Sequence, residues 1–450
     1  MGWGGHINRI NMEKKQVFQN AKWIVACKIA QSLLQLVVGM LCARYLGPSN
    51  YGLIGYATSV TAFFLPVMKL GFDATLVSEL IQEPEKEGEI LGTSLIFNVI
   101  SSLLCMAGVF AFVWTMNAGE TIVILVCVLY SLSMVCAALE MIQYWFQYKL
   151  LSKYSSVVML VAYVLVSAYR VGLLVFQKNV YWFALTNAID YGMIGISLLV
   201  LYHKLGEQRL AFCFDRGLKM LNRSKYYILA SMMIVVIQNT DRIMITMMVS
   251  EAENGYYSAA ITCATLAQFV YTAIIDSFRP MILAERKKDR AVFENSIAGL
   301  FSIIVYVSAA QSVVFIVCAE LIIKILYGAA YAAAVPILRI LMCYIIFSQM
   351  GTVRNVWILA EEKQRYLPWI NLCGALLNIM LNIFFIPLWG ACGAAFASLI
   401  TQFVANFVLG FVFKPLRKNN ELLLRGINPV FFKRESLMML RDYLKKSKRQ

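Results

Sequence analysis

The sequence predicts an all-α polytopic membrane protein, with about twelve transmembrane helices in two six-helix lobes and both termini on the cytoplasmic side. Three observations predict it. Of 450 residues, 60% are hydrophobic and only 14% charged, whereas a soluble domain is roughly 45–50% apolar and about 25% charged. The apolar residues come in runs about 20 residues long, the length a helix needs to cross about 30 Å of hydrocarbon. A spanning β-barrel would instead show alternating segments of about ten residues. Finally, Lys and Arg gather on alternate links between the runs, the asymmetry that fixes orientation in a bilayer.

Taken in order, the first two spans, 22–43 and 51–72, flank the stretch Ala43-Arg44-Tyr45-Leu46-Gly47-Pro48-Ser49-Asn50-Tyr51-Gly52. Gly47-Pro48 stops a helix, because Pro cannot donate to the preceding turn and Gly tolerates the backbone angles that are needed. Ser49 or Asn50 then caps the next helix. The basic residues before span 1 (Arg9, Lys14, Lys15, Lys22) do not head a cleavable signal peptide, because the apolar run that follows is too long and leads straight into this hairpin. Further spans are expected at 92–114, 121–140, 155–176 and 181–202, then at 226–249, 255–278, 297–319, 333–352, 366–386 and 391–413.

These spans give a first lobe over residues 1–202, a polar, basic cytoplasmic linker over 203–225, a second lobe over 226–413 and a basic tail over 414–450. The halves echo each other. Ser49-Asn50-Tyr51-Gly52 follows span 1, Glu253-Asn254-Gly255-Tyr256-Tyr257 follows span 7, and a small-residue segment succeeds each. Two parallel repeats related by an axis along the membrane normal fit this echo.

The basic residues fall on the N-terminus, Lys69 and Lys86, Lys149 and Lys153, regions 203–225, 279–290 and 354–365, and the tail. The opposite links hold Arg44, Lys178 and Lys324, while Lys28, Arg170, Arg242 and Arg339 fall within spans. The net charge of +15 is therefore read as topology and as contact with anionic membrane lipid, not with nucleic acid. A surface helix around Leu437-Met438-Met439-Leu440 and Tyr443-Leu444 fits that lipid contact. One inner link departs from the trend. Glu83-Pro84-Glu85-Lys86-Glu87-Gly88-Glu89 is acidic and is expected to open a helix, with Pro84 near its first turn, or else to be a solvated charged turn. The 11 cysteines lie mostly in apolar runs without zinc spacing, and are read as small buried hydrophobes.

Catalysis finds no motif: the two His, His6 and His203, lie outside the spans, and neither a P-loop, HExxH nor GxSxG is present. No cofactor, metal site or enzyme activity is expected. Polar residues within spans say more, because a charge at a helix centre costs about 2.5–3.5 kcal/mol and so faces protein or water. Span 1 carries Lys28, Ser32, Gln35 and Gly39 on one face; span 7 carries Gln238, Asp241 and Arg242; span 8 carries Thr265, Gln268, Thr272 and Asp276. Asn371, Asn378 and Asn382 share a face of span 11, as do Ser398, Gln402 and Asn406 of span 12. The stripes suggest an aqueous cavity; interhelical hydrogen bonding is the competing reading. Lys28, Gln35, Arg170, Gln238, Arg242, Gln268 and Asn378 are the candidates for substrate contact. Asp190, Asp241 and Asp276 are the candidates for ion coupling. Arg170 and Asp190 lie in adjacent spans, where they can form a mutual ion pair in a structural role. Asp241 and Arg242 point about 100° apart on a helix, so one can face a cavity and the other a partner helix. Pro66, Pro336 and Pro368, in or at the ends of spans, are read as bends or static kinks.

At this point the chain resembles the bacterial polysaccharide exporters and O-antigen flippases (Wzx-type) of the multidrug/oligosaccharidyl-lipid/polysaccharide (MOP) superfamily, to which the MATE transporters also belong. The resemblance rests on Arg44–Gly52, on Asp241-Arg242-Ile243-Met244-Ile245 leading to Gly255-Tyr256-Tyr257-Ser258-Ala259-Ala260, and on Phe278-Arg279-Pro280 and Ile325-Leu326-Tyr327-Gly328. It continues through Asn378–Pro387 and Gly390-Ala391-Cys392-Gly393-Ala394-Ala395. It implies a two-lobed, V-shaped alternating-access transporter in the inner (cytoplasmic) membrane. The implied substrate is an undecaprenyl-pyrophosphate-linked oligosaccharide, exported for lipopolysaccharide or capsule synthesis, with a polysaccharide polymerase and glycosyltransferases as further partners. It also implies a cationic cavity, for which only Asp241-Arg242 lies in a matching motif. The acidic link after span 2 departs from that pattern. A MATE-like drug or metabolite antiporter and, in another class, a polysaccharide polymerase are the alternatives; a polymerase would show a large outer loop, and none is found.

Overall fold

The computed structural model describes residues 3–286 and 289–432, with side chains described from residue 31 onward except residue 33. Among the described residues every regular element is a helix, and ten stretches are long and apolar enough to cross a membrane. The chain divides into two compact units, Met1–Val235 and Val236–Gln450.

The first unit holds α1 (Trp3–Met68), α2 (Phe72–Gln82), α3 (Glu87–Met116), α4 (Thr121–Leu139), α5 (Gln143–Tyr148), α6 (Ser152–Val175), α7 (Val180–Ala184) and α8 (Thr186–Leu205). The long helix α9 (Phe214–Met248) begins in the first unit and ends in the second. The second unit continues with α10 (Glu251–Ala264), α11 (Gln268–Arg286), α12 (Arg290–Val317), α13 (Ala319–Leu326), α14 (Ala334–Ala360), α15 (Leu367–Phe403), α16 (Leu409–Val412) and α17 (Arg417–Ile427).

Two of the ten stretches, Leu34–Gln82 and Gln364–Val412, run for 49 residues each. Straight, each would be about 74 Å long, more than twice the hydrocarbon thickness. Each holds one non-helical glycine where the sequence predicts a turn: Gly47 (φ 70°, ψ 173°) and Gly390 (φ 55°, ψ −134°). The positive φ favours glycine, which has no Cβ to clash. At Gly390 the chain folds back on itself. The Asn378 amide donates to the Ser398 hydroxyl at 3.3 Å, although a straight helix would hold these residues about 30 Å apart. Glu253 accepts from the Ala391 N–H at 2.9 Å and so caps the second arm. A Cβ on Gly393 would lie 2.0 Å from the Phe385 carbonyl oxygen, which is the packing reason for small residues in this motif. Predicted span 11 is thus the first arm of α15, predicted span 12 runs from its second arm through Val404–Val408 into α16, and predicted span 1 and most of span 2 lie in α1.

Prolines do not mark all the breaks. Pro336 and Pro368 sit in the first turns of α14 and α15, where a missing N–H costs no helical bond. Interruptions occur instead at Glu140–Ile142, which is a 3-10 turn, at Thr265–Ala267 between α10 and α11, and in a π-helical segment at Val404–Val408. The last explains a residue that the sequence places on a basic link. Arg354 lies inside α14, 5% exposed, and donates to the Ala405 carbonyl at 2.8 Å. The wider π turn changes which carbonyls the helix itself satisfies, and the guanidinium takes this one.

Residues 203–225 lie within the first unit, and from Phe214 onward they are helical. The segment between α8 and α9 runs alongside α3: the Ala211 N–H donates to the Gly88 carbonyl at 3.0 Å, and the Cys213 N–H to Thr93 Oγ1 at 3.0 Å. The acidic link does open a helix, through a Pro84–Lys86 turn into α3. Its carboxylates are not merely solvated. Arg216 pairs with Glu89 at 2.6 Å and with Glu83 at 3.0 Å, and Lys149 with Glu87 at 2.9 Å, while Arg223 pairs with Glu79 of the preceding α2 at 2.7 Å. Hydrogen bonds from Arg216 and then Lys86 hold the Glu83 carboxyl below its ordinary value. The acidic departure from the basic trend is therefore a clasp for the start of α9. In the second unit, α17 packs against α12, with Tyr306 donating to the Ile427 carbonyl at 2.8 Å and Lys418 pairing with Glu294 at 3.1 Å. The surface helix expected around Leu437–Leu444 lies outside the described residues.

Candidate functional site

Within the second unit, α9 carries Asp241 and Arg242 side by side, so their side chains diverge by about 100°. Asp241 is 5% exposed; Arg242 is half-buried and, among the described residues, pairs with no carboxylate. One oxygen of Asp241 accepts from the Asn382 amide at 2.7 Å; the other accepts from the Tyr257 hydroxyl at 2.6 Å and the Ser398 hydroxyl at 2.5 Å. Asn382 also donates to the Asn378 side-chain carbonyl at 3.2 Å. The positions follow from local structure. Asn378 and Asn382 are four apart on one arm of α15 and share a face. Ser398 comes from the returning arm beyond Gly390, and Tyr257 from α10. Three neutral donors thus converge on one buried carboxylate.

The first unit holds a different cluster. Arg170 on α6 donates to the Asn187 side-chain carbonyl at 3.1 Å, and the Asn187 amide donates to the Tyr130 hydroxyl at 2.5 Å. The guanidinium carbon stands 6.0 Å from the Tyr163 ring centroid. The Arg170–Asp190 ion pair that the sequence allows is not made: Asn187, one turn before Asp190 on α8, occupies the guanidinium instead. One carboxylate oxygen of Asp190 is buried with no hydrogen-bond partner among the described residues.

The remaining candidates are dispersed. Gln268, at the start of α11, is exposed and accepts from the Gln349 amide at 2.8 Å. Asp276 is exposed and pairs with Arg279 of its own helix at 3.1 Å. Gln35 and Gln238 are exposed. Lys28 lies on α1, but its side chain is outside the described residues. The structure therefore brings Asp241 and Asn378 together, sets Arg170 and Asp190 in one region without bonding them, and leaves the others apart. Sequence reading missed Asn187, Tyr130, Tyr257 and Gln349 as partners. Asn187 had a usable signal, lying three residues before Asp190 on the same helix face. Tyr257 had one too, since it sits in the same motif run as Asp241.

A polytopic helical protein with these in-span polar clusters has the stamp of a transporter-like fold, and the family follows from comparison. The chain belongs to the family described as "Polysaccharide biosynthesis protein", whose family model matches residues 41–336. It is 22% identical over 332 residues to the teichuronic acid biosynthesis protein TuaB of Bacillus subtilis (strain 168), covering 73% of this chain and 68% of that one. Among solved structures it is similar to the lipid II flippase MurJ in an inward closed conformation, with TM-score 0.64 and 16% identity over 94% of this chain and 97% of that one. It is also similar to an inward-facing multidrug resistance MATE family transporter of the MOP superfamily, with TM-score 0.66 and 13% identity over 88% and 96%. The fold is shared with these two solved structures.

Proposed function

We propose that this chain is a flippase that moves undecaprenyl-pyrophosphate-linked oligosaccharide repeat units across the bacterial cytoplasmic membrane by alternating access. The observation that carries the reading is Arg170. In a member of a polysaccharide biosynthesis family, a guanidinium held within an apolar helix is engaged by the neutral Asn187 rather than by a carboxylate. Its charge stays available for an anionic group, and a pyrophosphate is bulky, anionic and matched to a planar fork of donors. Arg242, with no carboxylate partner among the described residues, serves the same end in the second unit. An inside-negative potential favours outward movement of an anion by about 2.3 kcal/mol per charge per 100 mV, given the N-in, C-in orientation that the Lys and Arg pattern supports. Asp241, and after it Asp190, are the candidates for coupling to H⁺ or Na⁺. The polysaccharide product, the polymerase and glycosyltransferase partners and the anionic lipid contact belong to the same reading.

The test is the sidedness of the lipid-linked unit. Depleting the protein leaves undecaprenyl-pyrophosphate-linked repeat units on the cytoplasmic leaflet, out of reach of an added external glycosidase. If the units reach the outside normally and only chain length falls, the polymerase reading replaces this one.

A further inference from the structure

The apolar stretch Glu251–Arg286 is broken near its middle, at Thr265–Ala267. Two glutamines support the break from within the second unit. Gln311 of α12 donates to the Ala264 carbonyl at 3.4 Å and accepts from the Tyr271 hydroxyl. Gln349 of α14, 1% exposed, donates to the Gln268 side-chain carbonyl at 2.8 Å. Thr265, within the break, and Gln268 and Thr272, four apart on one face of α11, are all exposed. Three exposed polar side chains at and just after the break in a membrane-spanning stretch belong against water or a polar ligand, because hydrocarbon penalises unpaired polar groups.

The hydrogen bonds fix what this face offers. Thr265 spends its hydroxyl proton on the Ile261 carbonyl at 2.9 Å, and Thr272 spends its own on the Gln268 carbonyl at 3.0 Å. Their oxygen lone pairs remain outward as acceptors. Gln268 is the opposite case. Its carbonyl is taken by Gln349, so its NH2 group is left to face outward with two donors. The row therefore reads acceptor, donor, acceptor, with the Phe269 ring beside it 70% exposed. Sugar hydroxyls both donate and accept, and the C–H face of a sugar ring packs on an aromatic side chain. A bare phosphate, which only accepts, would leave the two threonines unused.

Resting on the flippase reading, we infer that the exposed surface formed by Thr265 at the break and by Gln268 and Thr272 of α11 contacts the carbohydrate of the substrate, and that Gln349 is the positioning residue that holds the Gln268 amide with its donors outward. The inference is tested on the purified full chain by comparing its affinity for an undecaprenyl-pyrophosphate-linked disaccharide with that for undecaprenyl pyrophosphate alone. The wild type binds the glycosylated carrier more tightly. Gln349→Met, similar in length but without a donor, lowers that preference by about tenfold, the scale of one lost hydrogen bond, and leaves affinity for the bare carrier unchanged. Gln268→Ala, at an exposed position that tolerates truncation, does the same and stands in if Gln349→Met fails to fold. An equal loss for both ligands would make Gln349 a purely structural residue and overturn the inference. A wild type that binds both carriers equally removes the carbohydrate face while the flippase reading survives. Binding of neither carrier overturns both.

Discussion

The Arg170 cluster of the first unit and the Asp241 cluster of the second are both charged groups set in apolar helices, yet they are solved in opposite ways. Asp241 is closed: Tyr257, Ser398 and Asn382, drawn from α10 and both arms of α15, all donate to it. Every one of those donors is itself buried, so the carboxylate is what keeps three polar groups satisfied. Arg170 is open. A guanidinium carries five N–H donors, and among the described residues it donates to the neutral side-chain oxygen of Asn187, while one oxygen of nearby Asp190 has no hydrogen-bond partner among them. Charge and depth alone do not separate a binding group from a structural one. The count of unused hydrogen-bonding valences separates these two clusters: Asp241 is saturated by donors of its own unit, whereas Arg170 keeps donors that the proposed substrate would use.

The sharpest way to break that contrast is to remove the closed carboxylate. Asp241→Leu leaves three buried donors unpaired and should cost about 3–5 kcal/mol, the scale of removing one partner from a buried charged network. It should appear as a large fall in Tm of the purified protein and in its abundance in membranes. Asp241→Asn keeps one acceptor and the same shape, so most of the folded protein should survive while export loses its dependence on pH or Na⁺. An Asp241→Leu protein as stable as wild type would end the assignment of Asp241 as a staple.

Arg170 should behave the other way round. Arg170→Gln gives up one hydrogen bond to a neutral partner, about 1 kcal/mol, so Tm and abundance should stay near wild type. Export of the lipid-linked unit should nonetheless fall by about tenfold or more, the value of a lost charge-assisted contact. Asn187→Asp sharpens the point without touching the arginine. It sets a carboxylate where the amide oxygen now sits, 3.1 Å from the guanidinium, and should reduce export by neutralising the charge. Parallel loss of protein and export in both variants would mean that the open cluster is structural after all.

Much of this was legible in the sequence, and what was not has a physical cause. Run lengths near membrane thickness pointed to the helical, multi-pass fold; Gly47 was readable as a turn, and the link between the spans 366–386 and 391–413 falls at Gly390, where the backbone takes a positive φ. Asp241, Asn378, Asn382 and Ser398 were each visible as polar residues at helical spacing. Their convergence was not, because it depends on the return of α15 at Gly390, and spacing within one helix carries no information about which face meets which neighbour. Arg170 with Asp190 was a reasonable pair by charge, but one turn of α8 decided for Asn187 instead. Arg354 looked like a loop cation because it stands beside polar residues; only the π segment at Val404–Val408 explains a guanidinium in the interior. The acidic link at Glu83–Glu89 read as an anomaly because its partners, Arg216 and Lys149, are distant in sequence.

The smallest expected effect tests the contrast from its far side. Asp276 has the residue type of Asp241 and lies in the same unit, but it is exposed and its partner is Arg279 on its own helix, 3.1 Å away. An exposed pair at this spacing is worth about 0.3–0.5 kcal/mol, because solvent screens it and both side chains lose freedom in forming it. Asp276→Asn should therefore leave Tm unchanged within error and leave export within about twofold of wild type, as a pair of such small worth allows. An Asp276→Asn protein that folds normally but loses pH- or Na⁺-dependent export would move ion coupling from the buried network to the surface of α11. Saturation of a carboxylate by buried donors would then be a mark of architecture alone.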